Sequence, residues 1–446
     1  MSAITQQDPT NRAMVDGREV VLDPTHKSNV ECPFPMYKHL REQAPVAHIR
    51  DHDFYMVTTH DLCMEVLRDP ATFRQWDGDE MFGPGEGPPL GRPSNWSPEV
   101  RAAMEGAYLP TSTLVNANPP RHTRYRKLAN KLFSARRTAD DMEDRLRELV
   151  DELIDSFPVS GEADFVDVFA VPFPIRVISE VLGFPADQYR TFKRWTDSAM
   201  VAIAGGVDTD RLVEAANDIV EFQGFLLEMV ESRRKEPKDD VVGYLANAQL
   251  QDVDGPRPLN ERETIGIGLH LLTGGGETTT NLLGNLMHRI TAEPGLLERI
   301  KADNAIIPQV IEETLRVDSP FQALFRRTTR AVTLGGVDLP EGAKVLVTFG
   351  SANHDEAHFP DGDDFDVDRP EGTPHIAFGF GTHFCLGAPL ARREAKLALE
   401  ALTRRLPGLR AKPGGEVVQH EHAFLRGLRR FDIQYDAVLP ASGAAR

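Results

Sequence analysis

The chain has 446 residues and a formal net charge of −18. This acidic balance argues against nucleic acids and anionic membrane surfaces as partners. The three cysteines, Cys32, Cys63 and Cys385, lie far apart and form no Cys-x-x-Cys pair, so neither a zinc site nor a disulfide framework is expected. Such few and widely separated cysteines fit a reducing compartment, and we expect a cytoplasmic protein without a membrane anchor.

The polar N-terminus, residues 1–32, is predicted to be a loose leader, and residues 33–446 are predicted to form a single domain. The domain begins with a predicted helix over 33–43, a hairpin over 46–58 and a helix over 61–68. Further amphipathic helices are predicted over 140–157, 172–182, 187–204 and 209–234.

The segment Phe378–Gly387 reads Phe-Gly-Phe-Gly-Thr-His-Phe-Cys-Leu-Gly, and a helical pattern follows over 388–406. Gly379 and Gly381 allow tight turns and close backbone approach to a flat object. At the mouth of a helix, exposed N–H groups and the positive end of the dipole favour the thiolate of Cys385 over its thiol. A lone cysteine is usually a small buried hydrophobe, but a thiolate in an amide-lined turn suits a soft metal such as haem iron.

The ten residues match Phe-Gly-x-Gly-x-His-x-Cys-x-Gly, the haem-binding signature of the cytochromes P450. The chain resembles this family, and its soluble bacterial members in particular, over almost its whole length. The resemblance implies a mainly α fold with small β-sheets (α+β), in which a long central helix lies over haem b and Cys385 ligates the iron from the proximal side. It also implies that Phe378, Gly379, His383 and Gly387 contact the cofactor.

The longest helical pattern covers residues 260–293, and Asn260 with Glu263 predicts a capping box at its start. Glu277 is the only formal charge between 264 and 287, so the helix is expected to be buried. At about 1.5 Å per residue it would be roughly 50 Å long. Three consecutive glycines, 274–276, favour a local kink. A phosphate-binding loop is the other interpretation of a glycine cluster, but no Gly-Lys-Ser/Thr follows.

The string Gly-Gly-Gly-Glu-Thr resembles the oxygen-activation motif of the P450 family. The resemblance implies that Thr278 hydrogen-bonds the dioxygen being activated and that Glu277 relays protons to it. It also places Gly274 next to the cofactor.

Two basic segments are candidates for binding the haem propionates. His122 and Arg126 stand four positions apart on one face of a predicted helix, and a solvated basic helix start is the alternative interpretation. The resemblance implies that both bind propionates, together with Arg326, although neighbouring Arg327 leaves a one-place ambiguity. Arginine suits this role because it can pair with a carboxylate through two hydrogen bonds.

The resemblance further implies a structural trio of Glu313, Arg316 and Arg369 behind the proximal side. Candidate substrate-pocket residues come from the central helix and from two later segments: His270, Thr273, Gly274, Phe321, Gln322, Ala323, Leu324, Phe424 and Leu425.

Residues 74–118 are rich in Gly, Pro, Asp and Glu. They fit either a disordered insertion or a lid over the pocket, and we favour the lid because long irregular loops in compact domains are often lids. The helices over 187–204 and 209–234, separated by Gly205-Gly206, resemble the hinged pair that caps the family's pocket.

The resemblance implies a monooxygenase that inserts one oxygen atom of O2 into an apolar small molecule, with a lean toward fatty acids, terpenoids or steroids. Electrons would come from a ferredoxin or flavodoxin and its NAD(P)H-dependent reductase, since the chain has no flavin or nicotinamide motif. We expect a monomer with a basic docking patch on the Cys385 side, although ordinary solvated helix faces explain these residues equally well: Arg124, Lys127, Arg392, Arg393 and Lys396. The alternatives are a peroxide-driven peroxygenase, a non-catalytic haem sensor and a cysteine-nucleophile enzyme.

Overall fold

The computed structural model describes residues 12–15, 18–75, 90, 96–109, 111–132, 142–204, 207–370 and 374–441. These residues form a mainly α fold with small β-sheets, so the predicted fold class is confirmed. The α-helices are α1 (Lys27–Glu31), α2 (Phe34–Gln43), α3 (His60–Arg68), α4 (Pro98–Ala103), α5 (Arg121–Leu132), α6 (Glu143–Asp155), α7 (Pro172–Leu182), α8 (Tyr189–Ala204), α9 (Thr209–Lys235), α10 (Val241–Asn247), α11 (Glu261–Ala292), α12 (Leu296–Ala302), α13 (Ile307–Val317), α14 (Phe349–Ala352) and α15 (Ala388–Arg405).

The strands are short and pair mostly in antiparallel fashion. They are β1 (Arg12–Val15), β2 (Arg18–Val21), β3 (Val46–Ile49), β4 (Phe54–Val57), β5 (Phe73–Arg74), β6 (Glu162–Asp164), β7 (Gln249–Asp252), β8 (Gly255–Pro258), β9 (Leu324–Thr328), β10 (Val332–Leu334), β11 (Val337–Leu339), β12 (Lys344–Val347), β13 (Arg410–Ala411), β14 (Val417–Gln419) and β15 (Leu428–Gln434). The largest sheet has five strands in the order β3-β4-β12-β9-β5, and β12 runs parallel to β4.

The central helix α11 begins with the predicted capping box. The Asn260 side chain accepts the N–H of Glu263, and the Glu263 carboxylate accepts the N–H of Asn260. The helix then runs for 32 residues without interruption, through the three glycines at which a kink was expected. The glycines serve packing instead, because a Cβ at Gly276 would lie 2.4 Å from Ile175 and one at Gly275 would lie 2.8 Å from Ile178, both on α7.

The pairing of β9 decides which of its side chains point inward toward the central helix. Alternate residues of a strand point to opposite faces of its sheet. Leu324 and Arg326 share one face, whereas Phe325 belongs to the other, where it packs beside the apolar cluster that contains Ala323. This alternation places neighbouring residues of β9 on opposite faces of the sheet, which the sequence alone could not assign.

The N-terminal leader is not loose where the structure describes it. Strands β1 and β2 form an antiparallel hairpin, and α1 follows. Val20 and Leu22 are buried in one cluster with Met36 and Leu40 of α2. The apolar contacts of these two side chains attach the segment to the domain. The mostly polar composition of residues 1–32 gave no indication of this attachment.

Residues 76–89, 91–95 and 110 of the proposed lid lie outside the described residues, as does Gly205-Gly206. The described part contains α4, where the Ser97 side chain caps the helix by accepting the N–H of Val100. Val100 and Met104 pack against Ala215 and Ile219 of α9. This end of the segment is therefore attached to α9, one of the two helices predicted to cap the pocket.

Candidate functional site

The loop that carries Cys385 is a compact backbone turn immediately before α15. Gly379 and Gly381 have φ angles of 68° and 69°, in the left-handed region that favours glycine. The N–H of Cys385 donates to the carbonyl of Phe378 at 2.9 Å, which closes the turn. The sulfur lies 4.0 Å from the position that a Cβ at Gly387 would take, so that glycine leaves room beside the thiol.

The pKa of Cys385 is raised in the protein alone, contrary to our expectation of a favoured thiolate. Burial raises it, and this exceeds the opposing effects of the Gly387 and Ala388 N–H groups and of the Arg126 charge. The expected amide contribution is present but too small, because a charged sulfur loses its hydration in this site. A positively charged metal would supply the missing stabilisation.

A cavity separates the Cys385 loop from α11. Its lining includes the loop residues and one face of α11, with further side chains from β9 and the segments around 75, 115 and 321. The main lining residues are Gln75, Leu114, Val115, Arg126, His270, Leu271, Gly274, Gly275, Thr278, Thr279, Leu282, Phe321, Leu324, Arg326, Phe378, Gly379, His383, Cys385, Leu386, Gly387 and Glu394.

Two arginines face this cavity from different elements. Arg326 is buried and donates to Gln75 Oε1 at 3.1 Å and to the carbonyl of Phe325, and burial lowers its pKa to about 10. Arg126 donates to the carbonyl of Phe384 at 2.8 Å. Arg327 instead points away and donates to the carbonyl of Gly342, which resolves the one-place ambiguity in favour of Arg326 as the residue at the cavity.

The rings of His122 and His383 pack at a tilt of 48°, with their centroids 4.1 Å apart. Among the described residues, neither ring nitrogen of buried His122 has a hydrogen-bond partner, and Nε2 of His383 has none either. Burial lowers the pKa of His122 to about 4, with a contribution from Arg126. The two imidazoles and two guanidiniums together offer several donors to an anionic ligand, and a buried donor without a partner is costly.

The cavity face of α11 is opened by the absence of a side chain at Gly274, where a Cβ would have nothing within 4 Å. Four residues later, the hydroxyl of Thr278 donates to the carbonyl of Gly274 at 2.7 Å and lines the same cavity. This arrangement leaves an open space over the Cys385 loop with one hydroxyl at its edge.

Glu277 does not line this cavity. Its buried carboxylate faces a second, polar cavity, where it lies 3.5 Å from Lys193 Nζ and 3.5 Å from His420 Nε2. Lys193 also pairs with Asp197. Burial acts to lower the pKa of Lys193, but the charges of Glu277 and Asp197 outweigh it and raise that pKa. Nothing in the local sequence signals Lys193 and His420, because they come from α8 and from the segment after β14.

The structure brings the three proposed structural residues into contact. Arg316 pairs with both carboxylate oxygens of Glu313, at 2.7 and 2.8 Å, and Arg369 donates to Glu313 at 3.1 Å. Both arginines also donate to the carbonyl of Asp364. The trio therefore ties α13 to the irregular segment that leads toward the Cys385 loop.

Four candidate pocket residues line the cavity: His270, Gly274, Phe321 and Leu324. Five others do not: Thr273, Gln322, Ala323, Phe424 and Leu425. The Gln322 side chain packs over Gly350 and donates to the carbonyl of Ser319 at 2.7 Å. Thr273 donates to the carbonyl of Leu269, and Phe424 packs edge-on against Phe325. These side chains point away from the cavity and make their contacts within the protein instead.

Two residues of the cavity carry chemistry that the sequence analysis missed or left undescribed. His270 Nδ1 lies 2.9 Å from the hydroxyl of Thr113, and burial lowers its pKa to about 4. Glu394 on α15 is buried, its Oε2 has no hydrogen-bond partner in the part of the chain that the structure describes, and burial raises its pKa well above the ordinary value. A carboxylate on the apolar face of the helix after Cys385 is a signal that could have pointed to Glu394.

Comparison with known proteins identifies the family. A family model described as Cytochrome P450 matches residues 201–407. Cytochrome P450 107B1 of Saccharopolyspora erythraea is 35% identical over 403 residues, which cover 89% of this chain and 94% of that relative. The chain is a cytochrome P450. A second relative, the 6-deoxyerythronolide B hydroxylase of the same organism, is 35% identical over 407 residues, or 90% of this chain and 95% of the relative.

Solved structures agree with this assignment. The structure of the P450 CYP109E1 from Bacillus megaterium in complex with testosterone has a TM-score of 0.76 and 30% sequence identity, and the match covers 91% of this chain and 99% of that one. Members of the family use haem b and act as monooxygenases, which are oxidoreductases of the EC 1.14 type. Among the described residues, no helix of this P450 is long and apolar enough to cross a membrane.

The cavity residues fit haem b. Cys385 supplies a soft sulfur ligand at one wall, and the apolar side chains of Leu282, Leu324 and Leu386 suit a flat macrocycle. Arg126 and Arg326 line the cavity and would provide donors for the two propionates. His122 is not among the lining residues but lies behind His383, against whose ring it packs. A group with a soft metal centre and a dianionic edge satisfies both ends of the cavity.

Proposed function

We propose that this P450 hydroxylates or epoxidises a large, mostly apolar small molecule, with Thr278 and Glu277 as the residues that control protons. Bound haem b supplies the activation of dioxygen. The observation that supports the proposal is the open space at Gly274, where the Thr278 hydroxyl borders the cavity above Cys385. We further propose that residues 33–446 act as one catalytic unit.

Thr278 is suited to hold a proton donor in place. Its hydroxyl donates to the Gly274 carbonyl at 2.7 Å and keeps its lone pairs available to a water molecule or a reacting group in the cavity. Glu277, on the neighbouring position, contacts the polar cavity that holds Lys193 and His420. A rotation of the Glu277 side chain would carry a proton from that polar cavity toward Thr278.

The substrate side of the cavity is mostly apolar, with side chains of Leu114, Val115, Phe321 and Leu324. His270 adds a polar group to this lining, and its Nδ1 lies 2.9 Å from the hydroxyl of Thr113. We propose a fused-ring or macrocyclic apolar substrate with one neutral oxygen that binds His270. The names of two relatives support this class, since one is a 6-deoxyerythronolide B hydroxylase and another was solved with testosterone.

The proposed electron donor is a ferredoxin or flavodoxin with its NAD(P)H-dependent reductase, docking a monomeric P450 on the Cys385 side. The expected basic patch is mostly neutralised within the chain, because four of its members are paired: Arg124 with Asp252, Arg392 with Glu312, Arg393 with Glu143 and Lys396 with Glu400. Phe380 and Phe384 of the Cys385 loop are 39% and 41% exposed. A partner would therefore meet aromatic side chains as well as charge.

The test is the amount of product formed per reduced nicotinamide consumed, with a ferredoxin system and a substrate found by screening for a spin-state shift. Thr278→Ala should bind substrate and consume electrons but release them largely as peroxide. The matched control is Thr273→Ala, because Thr273 makes the same kind of hydroxyl-to-carbonyl bond, to Leu269, without lining the cavity. Unchanged coupling in Thr278→Ala, or equal loss in Thr273→Ala, would refute the role.

The same measurement, repeated with hydrogen peroxide in place of the electron donor, separates the two remaining alternatives, a peroxygenase and a haem sensor. A peroxygenase would turn over with hydrogen peroxide at least as well as with the electron donor, and its rate would not depend on Glu277. A haem sensor would bind ligand without forming product in either assay.

A further inference from the structure

Two histidines and an aspartate meet at the start of α3, outside the cofactor cavity. His60 and Asp61 open the helix, and His358 follows α14, almost three hundred positions later in the chain. One nitrogen of each histidine and one carboxylate oxygen all lie within 4.8 Å of one another. These residues border neither of the two cavities described above.

His60 is the residue that the protein interior leaves unsatisfied. It is 7% exposed, and neither of its ring nitrogens makes a hydrogen bond of ordinary geometry with any residue that the structure describes. The carbonyl of Pro374 is placed to accept a weak hydrogen bond from one nitrogen of the ring. A buried polar group without a partner is costly, whereas a histidine that binds a metal commonly directs its other nitrogen at a backbone carbonyl.

The other two groups are within hydrogen-bond distance of each other. His358 Nε2 lies 2.9 Å from Asp61 Oδ1, and the rings of His60 and His358 pack at a tilt of 36° with centroids 4.0 Å apart. Zinc–nitrogen bonds near 2.0–2.1 Å separate tetrahedral ligand atoms by about 3.3 Å, which is close to the His358–Asp61 distance. The side chains of Asp61 and His358 are 86% and 29% exposed, so both have room to rotate toward His60.

Asp355 holds the backbone on both sides of this cluster. Its carboxylate accepts the N–H of His60 at 2.8 Å and the N–H of Ala357 at 3.2 Å, and its carbonyl accepts the N–H of His358 at 2.9 Å. One residue therefore fixes the positions from which both histidines project. Support of this kind from residues around the ligands is typical of metal sites.

We propose that His60, Asp61 and His358 bind one divalent transition-metal ion of the zinc class. Two imidazoles and a carboxylate suit zinc and its neighbours, whereas magnesium and calcium prefer ligand sets made of oxygen. The ion would join the start of α3 to the segment after α14. Its site lies apart from the haem and does not depend on the proposed reaction.

The experiment measures zinc binding to haem-loaded protein by calorimetry and by equilibrium dialysis with metal analysis. Haem loading keeps Cys385 occupied, and a Cys32→Ser background removes an exposed thiol. Wild type should bind one zinc ion at this site, without competition from excess magnesium, and its melting temperature should rise with zinc concentration. His358→Ala and Asp61→Asn, which change exposed or half-exposed side chains, should each weaken binding at least about 10-fold, since even changes around a metal's ligands cost 10–100-fold.

The matched control is His48→Ala. His48 Nε2 lies 3.0 Å from Asp53 Oδ1, so it forms the same kind of histidine–aspartate pair but, within the described part of the chain, belongs to no three-ligand cluster. Zinc binding should be unchanged in this variant. The proposal is overturned if wild type and His358→Ala bind zinc equally, or if His48→Ala weakens binding as much as His358→Ala does. An anomalous-scattering peak among the three side chains in zinc-soaked crystals would locate the ion, and a peak elsewhere would also overturn it.

Discussion

The carboxylate of Glu277 lies 3.5 Å from the ammonium group of Lys193, in a polar cavity that the cofactor site does not share. The next residue, Thr278, lines the cofactor cavity instead. Consecutive helical residues point about 100° apart, which follows from 3.6 residues per turn. The central helix therefore forms the wall between the two cavities, with an acid on one side and a hydroxyl on the other.

The position of Glu277 in this wall predicts that Glu277→Gln impairs proton transfer, because the amide keeps the shape of the acid but cannot carry a proton. Turnover should fall by about 10²-fold or more, within the usual range for a lost acid–base group, while haem content stays normal. Glu261→Gln, in the first turn of the same helix, is the control. The measurement is kcat with a confirmed substrate, and an unchanged kcat in Glu277→Gln would exclude the relay.

The buried position of Arg326 predicts that Arg326→Ala weakens haem binding. Loss of one charge-assisted hydrogen bond to a propionate should cost about 1.5–3 kcal/mol. Haem retention during gel filtration measures the effect. Arg327→Ala is the control, because that side chain donates to the Gly342 carbonyl, away from the cavity. Equal retention in the two variants would contradict the assignment.

The surroundings of two glycines in the central helix predict opposite effects of a Gly→Ala substitution on the stability of the fold. A methyl group at Gly276 would lie 2.4 Å from Ile175, so Gly276→Ala should destabilise the fold by about 1–3 kcal/mol through overpacking. A methyl group at Gly274 meets nothing within 4 Å, so Gly274→Ala should leave the fold as stable or up to about 1 kcal/mol more stable. Thermal unfolding of both variants checks the pair, and similar melting temperatures would contradict it.

The burial of His270 predicts a contribution to acid sensitivity. Its pKa is lowered to about 4 in the folded protein, compared with about 6.5 when unfolded. Between these values the unfolded chain binds more protons than the folded protein. The free energy of unfolding therefore has its full value above about pH 6.5 and decreases as the pH falls from about 6.5 toward 4. Denaturant unfolding at pH 7.5 and 5.0 should show a smaller loss in His270→Gln than in wild type. Equal losses would show that His270 takes up a proton in the folded state.

Local patterns in the sequence determined the family, the fold class and the bounds of most helices. The capping box at Asn260 and the helix that begins at Pro172 were predicted correctly, because caps, prolines and apolar periodicity act within a few residues of the chain. The ten-residue segment around Cys385 likewise carries its own turn chemistry in Gly379 and Gly381.

Only the tertiary structure decided which neighbours share a site. Arg326 and Arg327 are indistinguishable by type, and the register of β9 alone turns Arg326 toward the cavity. Glu277 meets Lys193 and His420 only because α8 and the segment after β14 pack beside α11. His60 and His358 likewise meet through folding, since contacts between distant segments depend on how helices and sheets pack and leave no mark in the local sequence of either segment.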